Sequence, residues 1–238
     1  GWTNQGNSTS STTSESNDDN SNSTSTADDV ITGVTSDGDV TSFTIALDKN
    51  ALSESVNVDT NDDDYIENTT FDKTITVTFS QSGNASVSGD ESGIVSINGN
   101  DVIATNNTDQ VIKYVLTGET SDGFFKLYST KKQAIVLNSV SITNPDGAAI
   151  NNQSKKRTFI VLNDGTKNYL TDGANYSDAT DSEDMKGCFF SEGQLIFSGS
   201  GYLEVDANCK AGIRSDDYVR TMPKANIWVD ASSGNGIR

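Results

Sequence analysis

Glu192, Asp216 and Asp217 are the residues whose type and spacing point most directly to chemistry, because Glu192 and Asp216 stand 24 residues apart in a chain that repeats at that interval. Stacked in register on neighbouring layers about 4.8 Å apart, the three carboxylates would repel one another unless a cation or bound protons relieve them. A calcium ion bridging the rungs suits such an oxygen-rich set, and solvated turn carboxylates are the alternative reading. A second acidic stretch, the insertion that leaves the repeat at Asp164-Gly165 and runs through Asp172-Gly173 to Asp184, offers Asp164 and Asp172 as ligands of a further calcium. Both Asp-Gly pairs are also ordinary turn dipeptides. The same ladder reasoning puts Tyr128, Asn152, Glu192 and Asp216 in one column.

The chain has no histidine, which excludes Ser-His-Asp and Cys-His catalysis and imidazole-bound zinc. No catalytic residue is assigned. Lys186, Lys210, Arg214 and Arg220 align near the acidic ladder and supply a base for the alternative of a calcium-dependent polyuronate lyase. Exposed aromatic and polar groups are what a sugar ring needs, so Tyr128, Asn152, Tyr169, Tyr176, Arg214 and Tyr218 are the candidate ligand-binding residues, with Tyr202 beside them. Partial burial within a strand is the competing explanation for each tyrosine.

The element that must position these groups is a repeat. Gly123-Phe124-Phe125-Lys126, Gly147-Ala148-Ala149-Ile150, Gly187-Cys188-Phe189-Phe190, Ala211-Gly212-Ile213-Arg214 and Asn235-Gly236-Ile237-Arg238 can be written under one another. The steps are 24, 40, 24 and 24, the 40 being one repeat with a 16-residue insertion. Each repeat holds three short strands and no room for a helix. Strand one includes Ala134–Leu137, Phe159–Leu162, Leu195–Phe197 and Ile227–Val229, and strand two includes Val140–Thr143, Tyr169–Thr171 and Tyr202–Val205. The fold class expected is all-β, a right-handed parallel β-helix with three strands and about 24 residues per coil. A β-sandwich is the rival, but it leaves the constant period unexplained.

Upstream, residues 1–29 are almost wholly Ser, Thr, Asn, Asp and Gly and are expected to form a disordered tether. Residues 30–92 are expected to be a small β region that caps the solenoid, which then runs over 93–238 and breaks off on a half-finished coil. Gly1 in place of Met suggests a processed start, so a secreted or bacterial cell-surface location is expected, as an outer-membrane lipoprotein with its lipid tether upstream of residue 1. Cys188 and Cys209 allow one disulfide or none. With 16 basic against 34 acidic residues, the formal charge of −18 argues against nucleic acid and anionic membranes.

The runs at 144–173 (NPDGAAINNQSKKRTFIVLNDGTKNYLTDG), 185–205 (MKGCFFSEGQLIFSGSGYLEV) and 211–220 (AGIRSDDYVR) resemble a bacterial family of secreted carbohydrate-binding domain-containing proteins. The resemblance extends over roughly residues 70–238. It implies a polysaccharide-lyase-like right-handed parallel β-helix, calcium sites, and binding of glycans such as cellulose or polygalacturonate without established catalysis. The family's acidic pair matches Asp216-Asp217, whereas one coil earlier the chain has Glu192-Gly193 and lacks a carboxylate. The function expected is non-catalytic binding of a plant cell-wall or host polysaccharide, with calcium the expected cofactor. A surface adhesin using the stack as a stiff spacer is the alternative from another class. An acidic glycan should need calcium to bridge it to so acidic a protein.

Overall fold

The structure is a computed structural model that describes residues 30–37, 40–46, 62–232 and 234–238. The expected tether at 1–29 lies outside the described residues. Poor helix formers dominate the sequence, and the described residues are accordingly all-β apart from two short 3-10 turns, Asp62–Asp64 and Ile66–Asn68. No helix among them is long and apolar enough to cross a membrane.

Successive coils pair in parallel through three faces, an arrangement consistent with a parallel β-helix. The first face pairs β7 (Ile112–Thr120), β9 (Gln133–Asn144), β11 (Thr158–Leu162), β14 (Leu195–Ser198) and β17 (Val219–Thr221). Strands β7 and β9 are long enough to turn the corner and continue into the second face. There β9 pairs in turn with β12 (Lys167–Asp172), β15 (Tyr202–Ala207) and β18 (Asn226–Ala231). The third face pairs β6 (Asp101–Asn106), β8 (Phe124–Ser129), β10 (Ile150–Asn152), β13 (Gly187–Ser191) and β16 (Ala211–Ser215). Burial alternates along β12, β15 and β18, so Leu170, Leu203, Val205, Ile227 and Val229 point inward. On the third face the inward column is Val102, Phe125, Ile150, Phe189 and Ile213, closed by a bridge to Ile237. Each fully buried Phe or Ile contributes about 1.5–3 kcal/mol, so one column alone supplies much of the cohesion between coils.

Each corner between the first and second faces needs one residue in the left-handed region. Gly118, Ser139, Gly165, Gly199 and Lys224 take that place in turn, with φ between 60° and 86°. Gly199 is the tightest case, because a Cβ there would sit 2.1 Å from the Leu162 carbonyl oxygen.

The register corrects three sequence expectations. Ile150, not Ala149, occupies the column with Phe125 and Phe189, because the step from Phe125 to its partner on the next coil is 25 residues and not 24. Asn152 therefore pairs with Leu127 and Ser191 in place of Tyr128 and Glu192. Ile227–Val229 belongs to the second face, in register with Leu203–Val205, and the first-face rung is Val219–Thr221. The excursion from the repeat starts at Gly173 and not at Asp164, since Lys167–Asp172 is an ordinary rung of the second face.

The region expected to cap one end of the stack is divided between both. Strands β1 (Val30–Asp37) and β2 (Val40–Ala46) form a hairpin whose second strand pairs antiparallel with β18, the last rung. Strand β3 (Lys73–Phe79) instead pairs with β7 at the opposite end and carries β4 (Ser86–Ser88) on its other edge. On the third face, β5 (Val95–Asn98) ends the sheet antiparallel to β6. Between these parts, residues 62–72 run as a strap along the outside of the first face.

Candidate functional site

Three outer faces are available to a ligand, and two are occupied by the chain itself. On the first face the outward column Lys113, Ala134, Phe159, Ile196 and Arg220 carries the strap. Ile66 and Phe71 pack on Ala134, Phe159 and Ile196, and Lys113 lies 5.0 Å above the Phe71 ring. Asp64 fixes the other end of the strap. Its carboxylate sits 3.3 Å from the Arg157 guanidinium and 3.4 Å from that of Arg220, and accepts a bond from the Tyr218 hydroxyl at 3.3 Å. Tyr218 and Arg220, offered by the sequence as a sugar platform and as a base, are thus committed to a structural clamp.

Over the third face folds the loop 173–186. Glu183 accepts a 2.7 Å bond from Lys126 and bonds from the Tyr128 hydroxyl at 2.8 and 2.9 Å. Lys126 first, then Tyr128, hold its carboxyl below the ordinary value. Tyr176 is buried in a small cluster with Ala148 and Met185 and donates to the buried Asp172 carboxylate, which also takes the Asn208 amide at 2.6 Å. Burial pushes the Asp172 carboxyl up. Asp172 and Tyr176 are therefore brought together, but as the anchor of a loop. Neither they nor Tyr128 offer a free surface to a sugar.

The expected cation ligands separate in the same way. Asp216 lies 2.5 Å from Lys186 and 3.3 Å from Arg214, which neutralises it and raises the Lys186 ammonium pKa. The Asp217 amide is turned onto the Ser215 hydroxyl, and Asp164 accepts the Ser200 amide and hydroxyl at 2.9 and 2.8 Å. Among the described residues, no three Asp, Glu or Cys side chains stand close enough to hold a metal ion. A carboxylate at position 193 does not fit, because a Cβ on Gly193 would lie 2.6 Å from the Lys156 carbonyl oxygen. Lys210 donates to the Met185 carbonyl and covers the Tyr176 ring, so all four proposed bases are engaged. Asn152 is fully buried and donates to Thr158 and Ser191 at 2.9 and 3.0 Å, a corner tie within the core and not a ligand contact. Cys188 lies in the main core and Cys209 against the Tyr176 cluster, both as free thiols.

The second face carries neither strap nor loop. Its outward row is Ser141, Tyr169, Glu204 and Trp228, one residue from each of four coils. The adjoining row holds Lys167, Tyr202 and Asn226, and a third holds Thr143, Thr171, Asp206 and Asp230. Tyr169 and Tyr202 meet edge to face with ring centroids 6.2 Å apart. Tyr202 donates to Glu204 at 3.0 Å. Burial first and this carboxylate second push the Tyr202 phenol up to about 12, so it stays a neutral donor. Asp206 is pushed up to about 7, chiefly by burial, then by sharing a hydrogen bond with Glu204 and by the charges of Glu204 and Asp230. The face thus sets aromatic rings among hydroxyl, amide and carboxyl groups on a flat, regular sheet. Tyr169 and Tyr202 are the sequence candidates that stand here. Trp228, Glu204 and Asp206 were missed, although the 24-residue step from Glu204 to Trp228 is visible in the sequence.

These features can be set against known proteins. A relative from Acetivibrio thermocellus, described as a carbohydrate-binding domain-containing protein, is 33% identical over 122 residues, which is 50% of this chain and 42% of the relative. A solved structure described as the polysaccharide lyase-like protein from C. thermocellum, in a gadolinium derivative, aligns with 63% of this chain and 58% of its own at 25% identity and a TM-score of 0.53. The chain spans about two fifths of that relative and under two thirds of that structure. A family match covers residues 98–238, more than half of the sequence and all three faces, and by it the chain belongs to the carbohydrate-binding domain-containing protein family.

Proposed function

We propose that this chain is a non-catalytic polysaccharide-binding module of the extracellular space, a right-handed parallel β-helix that holds its ligand on the second face. One observation carries the reading: of the three outer faces, the one left uncovered among the described residues is the one bearing Tyr169, Tyr202 and Trp228. Sugar rings present C–H faces to aromatic rings and hydroxyls to their polar neighbours, and a sheet rung spacing of about 4.8 Å offers such contacts at regular intervals along a polymer. Glu204, Asp206 and Asp230 give this face a negative charge, which favours a neutral glycan. Calcium does not enter the reading, since Asp216 already has two cationic partners and the remaining candidates do not converge. The relatives described as carbohydrate-binding and polysaccharide lyase-like support a polysaccharide partner.

The test is affinity electrophoresis in hydroxyethyl-cellulose and other soluble neutral glycans, with Tyr169→Ala and Trp228→Ala variants. A ring contact of about 1 kcal/mol makes each substitution cost about fivefold in Kd. Trp228 is one of two tryptophans, the other being Trp2, so ligand addition should also change its fluorescence. Retention that survives both substitutions would remove this face from the reading.

A further inference from the structure

The corner between the third and first faces carries a charge gradient that the net charge conceals. One end holds Lys131, Lys132, Lys155, Lys156 and Arg157, five of the chain's 16 basic residues, and the other ends in Asp216 and Asp217. At the basic end is a shallow, open cleft of about 360 Å³, lined by Lys131, Lys132, Lys156 and Arg157 together with Thr130, Gln194 and Asp63 of the strap. Four cationic side chains against the single Asp63 carboxylate give the cleft a local positive excess, so it attracts anions despite the −18 of the whole chain.

The cations in it are not evenly spent. Arg157 is used twice, on Asp64 and by donating from Nε to Gln194 at 3.0 Å. Lys131 has a long contact of 3.7 Å to the exposed Asp109. Lys132 and Lys156 have no ion pair with any described residue. The turn that presents them is rigid, because its backbone is tied from inside. Ser154 donates to the Ser129 carbonyl at 2.9 Å, Gln133 to Thr158 at 2.8 Å, and Ser191 and Ser215 both to the Gly193 carbonyl at 2.7 and 2.8 Å. Gly193, with no side chain, lets the Lys155–Arg157 turn stack directly on the next coil. Two ammonium groups with no ion pair among the described residues thus stand on neighbouring rungs of a fixed corner.

We propose that this cleft is a second subsite that takes an anionic substituent of a polysaccharide, a carboxylate or a sulfate ester, directly on Lys132 and Lys156 and without a bridging metal. It rests on the carbohydrate-binding reading but uses a different part of the surface. Acidic glycans, which the net charge alone would exclude without calcium, thereby become ligands.

The experiment uses the full chain and three polymers on one backbone: hydroxyethyl-cellulose, carboxymethyl-cellulose and cellulose sulfate, run in affinity gels with chelator present throughout. The wild-type chain should be retarded by one or both charged polymers, and the Lys132→Gln, Lys156→Gln double variant should bind them five- to tenfold more weakly. The charged polymer with the larger loss identifies the group. Raising the salt should weaken the charged arms and leave the neutral arm unchanged. Failure of the neutral arm alone would count against the second-face reading and leave this one standing. The subsite is refuted if the wild type shows no chelator-resistant retardation by either charged polymer, or if the double variant matches it.

Discussion

Replacing Asp64 by asparagine should loosen the strap while leaving the coils beneath it intact. The carboxylate is almost inaccessible, 5% exposed, and faces two guanidinium groups that are 17% and 21% exposed. Asparagine keeps the shape and loses the charge, so two charge-assisted contacts of about 1.5–3 kcal/mol each become weak or absent. The arginines can rehydrate through their exposed edges, which returns roughly half of that. The net cost is about 2–3 kcal/mol, assigned to strap opening because Asp64 clamps one end of the strap, while Ile66 and Phe71 on the outer column and the Asp72–Val111 hydrogen bonds hold the rest. Amide hydrogen exchange reads this locally. The Asn68 amide bonds to the Tyr65 carbonyl and the Thr69 amide to that of Ile66, and both should exchange about 30- to 150-fold faster. Amides of β9 and β11 should change little. Unchanged exchange at Asn68 and Thr69, or an equal acceleration throughout the first face, would refute the assignment of Asp64 as a local clamp.

Stability should rise as pH falls from about 8 to about 5. Asp206 has a folded-state pKa raised to about 7, so the native chain holds a proton that the unfolded chain has released, and that contribution is lost as pH rises through 7. Solvent screening on this outer face reduces it to about 1–2 kcal/mol, and Asp206→Asn should remove this part of the slope in urea midpoints measured at the two pH values. Gly199→Ala should cost about 3 kcal/mol or more, because the left-handed backbone and the Leu162 carbonyl both oppose a Cβ, whereas Gly165→Ala, with open space around it, should cost only about 1 kcal/mol. Thermal unfolding of the two variants checks the difference.

What the sequence reveals about this chain is the part that repeats. The apolar returns at Phe125, Phe189, Ile213 and Ile237 are a real column, since every coil must present one large inward residue at that place. The register slips where the step between coils changes length, at Ala149 against Ile150. Val219–Thr221 escapes notice because it is short and holds Arg220 outward, under Asp64. The apolar outer column of Ala134, Phe159 and Ile196 hides the strap, since its cover comes from residues 66 and 71, far earlier in the chain. The Glu183 contact with Lys126 and Tyr128 and the Asp64 clamp are made across the fold by single residues with no periodic counterpart. The tyrosines were therefore recognisable as a set, but which of them remain open was decided by the two segments that fold back.

The hairpin on the last rung bears on the order in which the chain becomes structured. Ala46 pairs with Asn226 and Thr41 with Ala231, so β2 waits for a partner that lies far later in the chain. Local coil-on-coil contacts can form as each layer emerges, but this closure spans most of the sequence and should be the slowest step. Until it happens, β18 presents an unpaired edge, open to the equivalent strand of another molecule. Dilute refolding should therefore favour the monomer, and crowded refolding should favour edge-paired or hairpin-exchanged species.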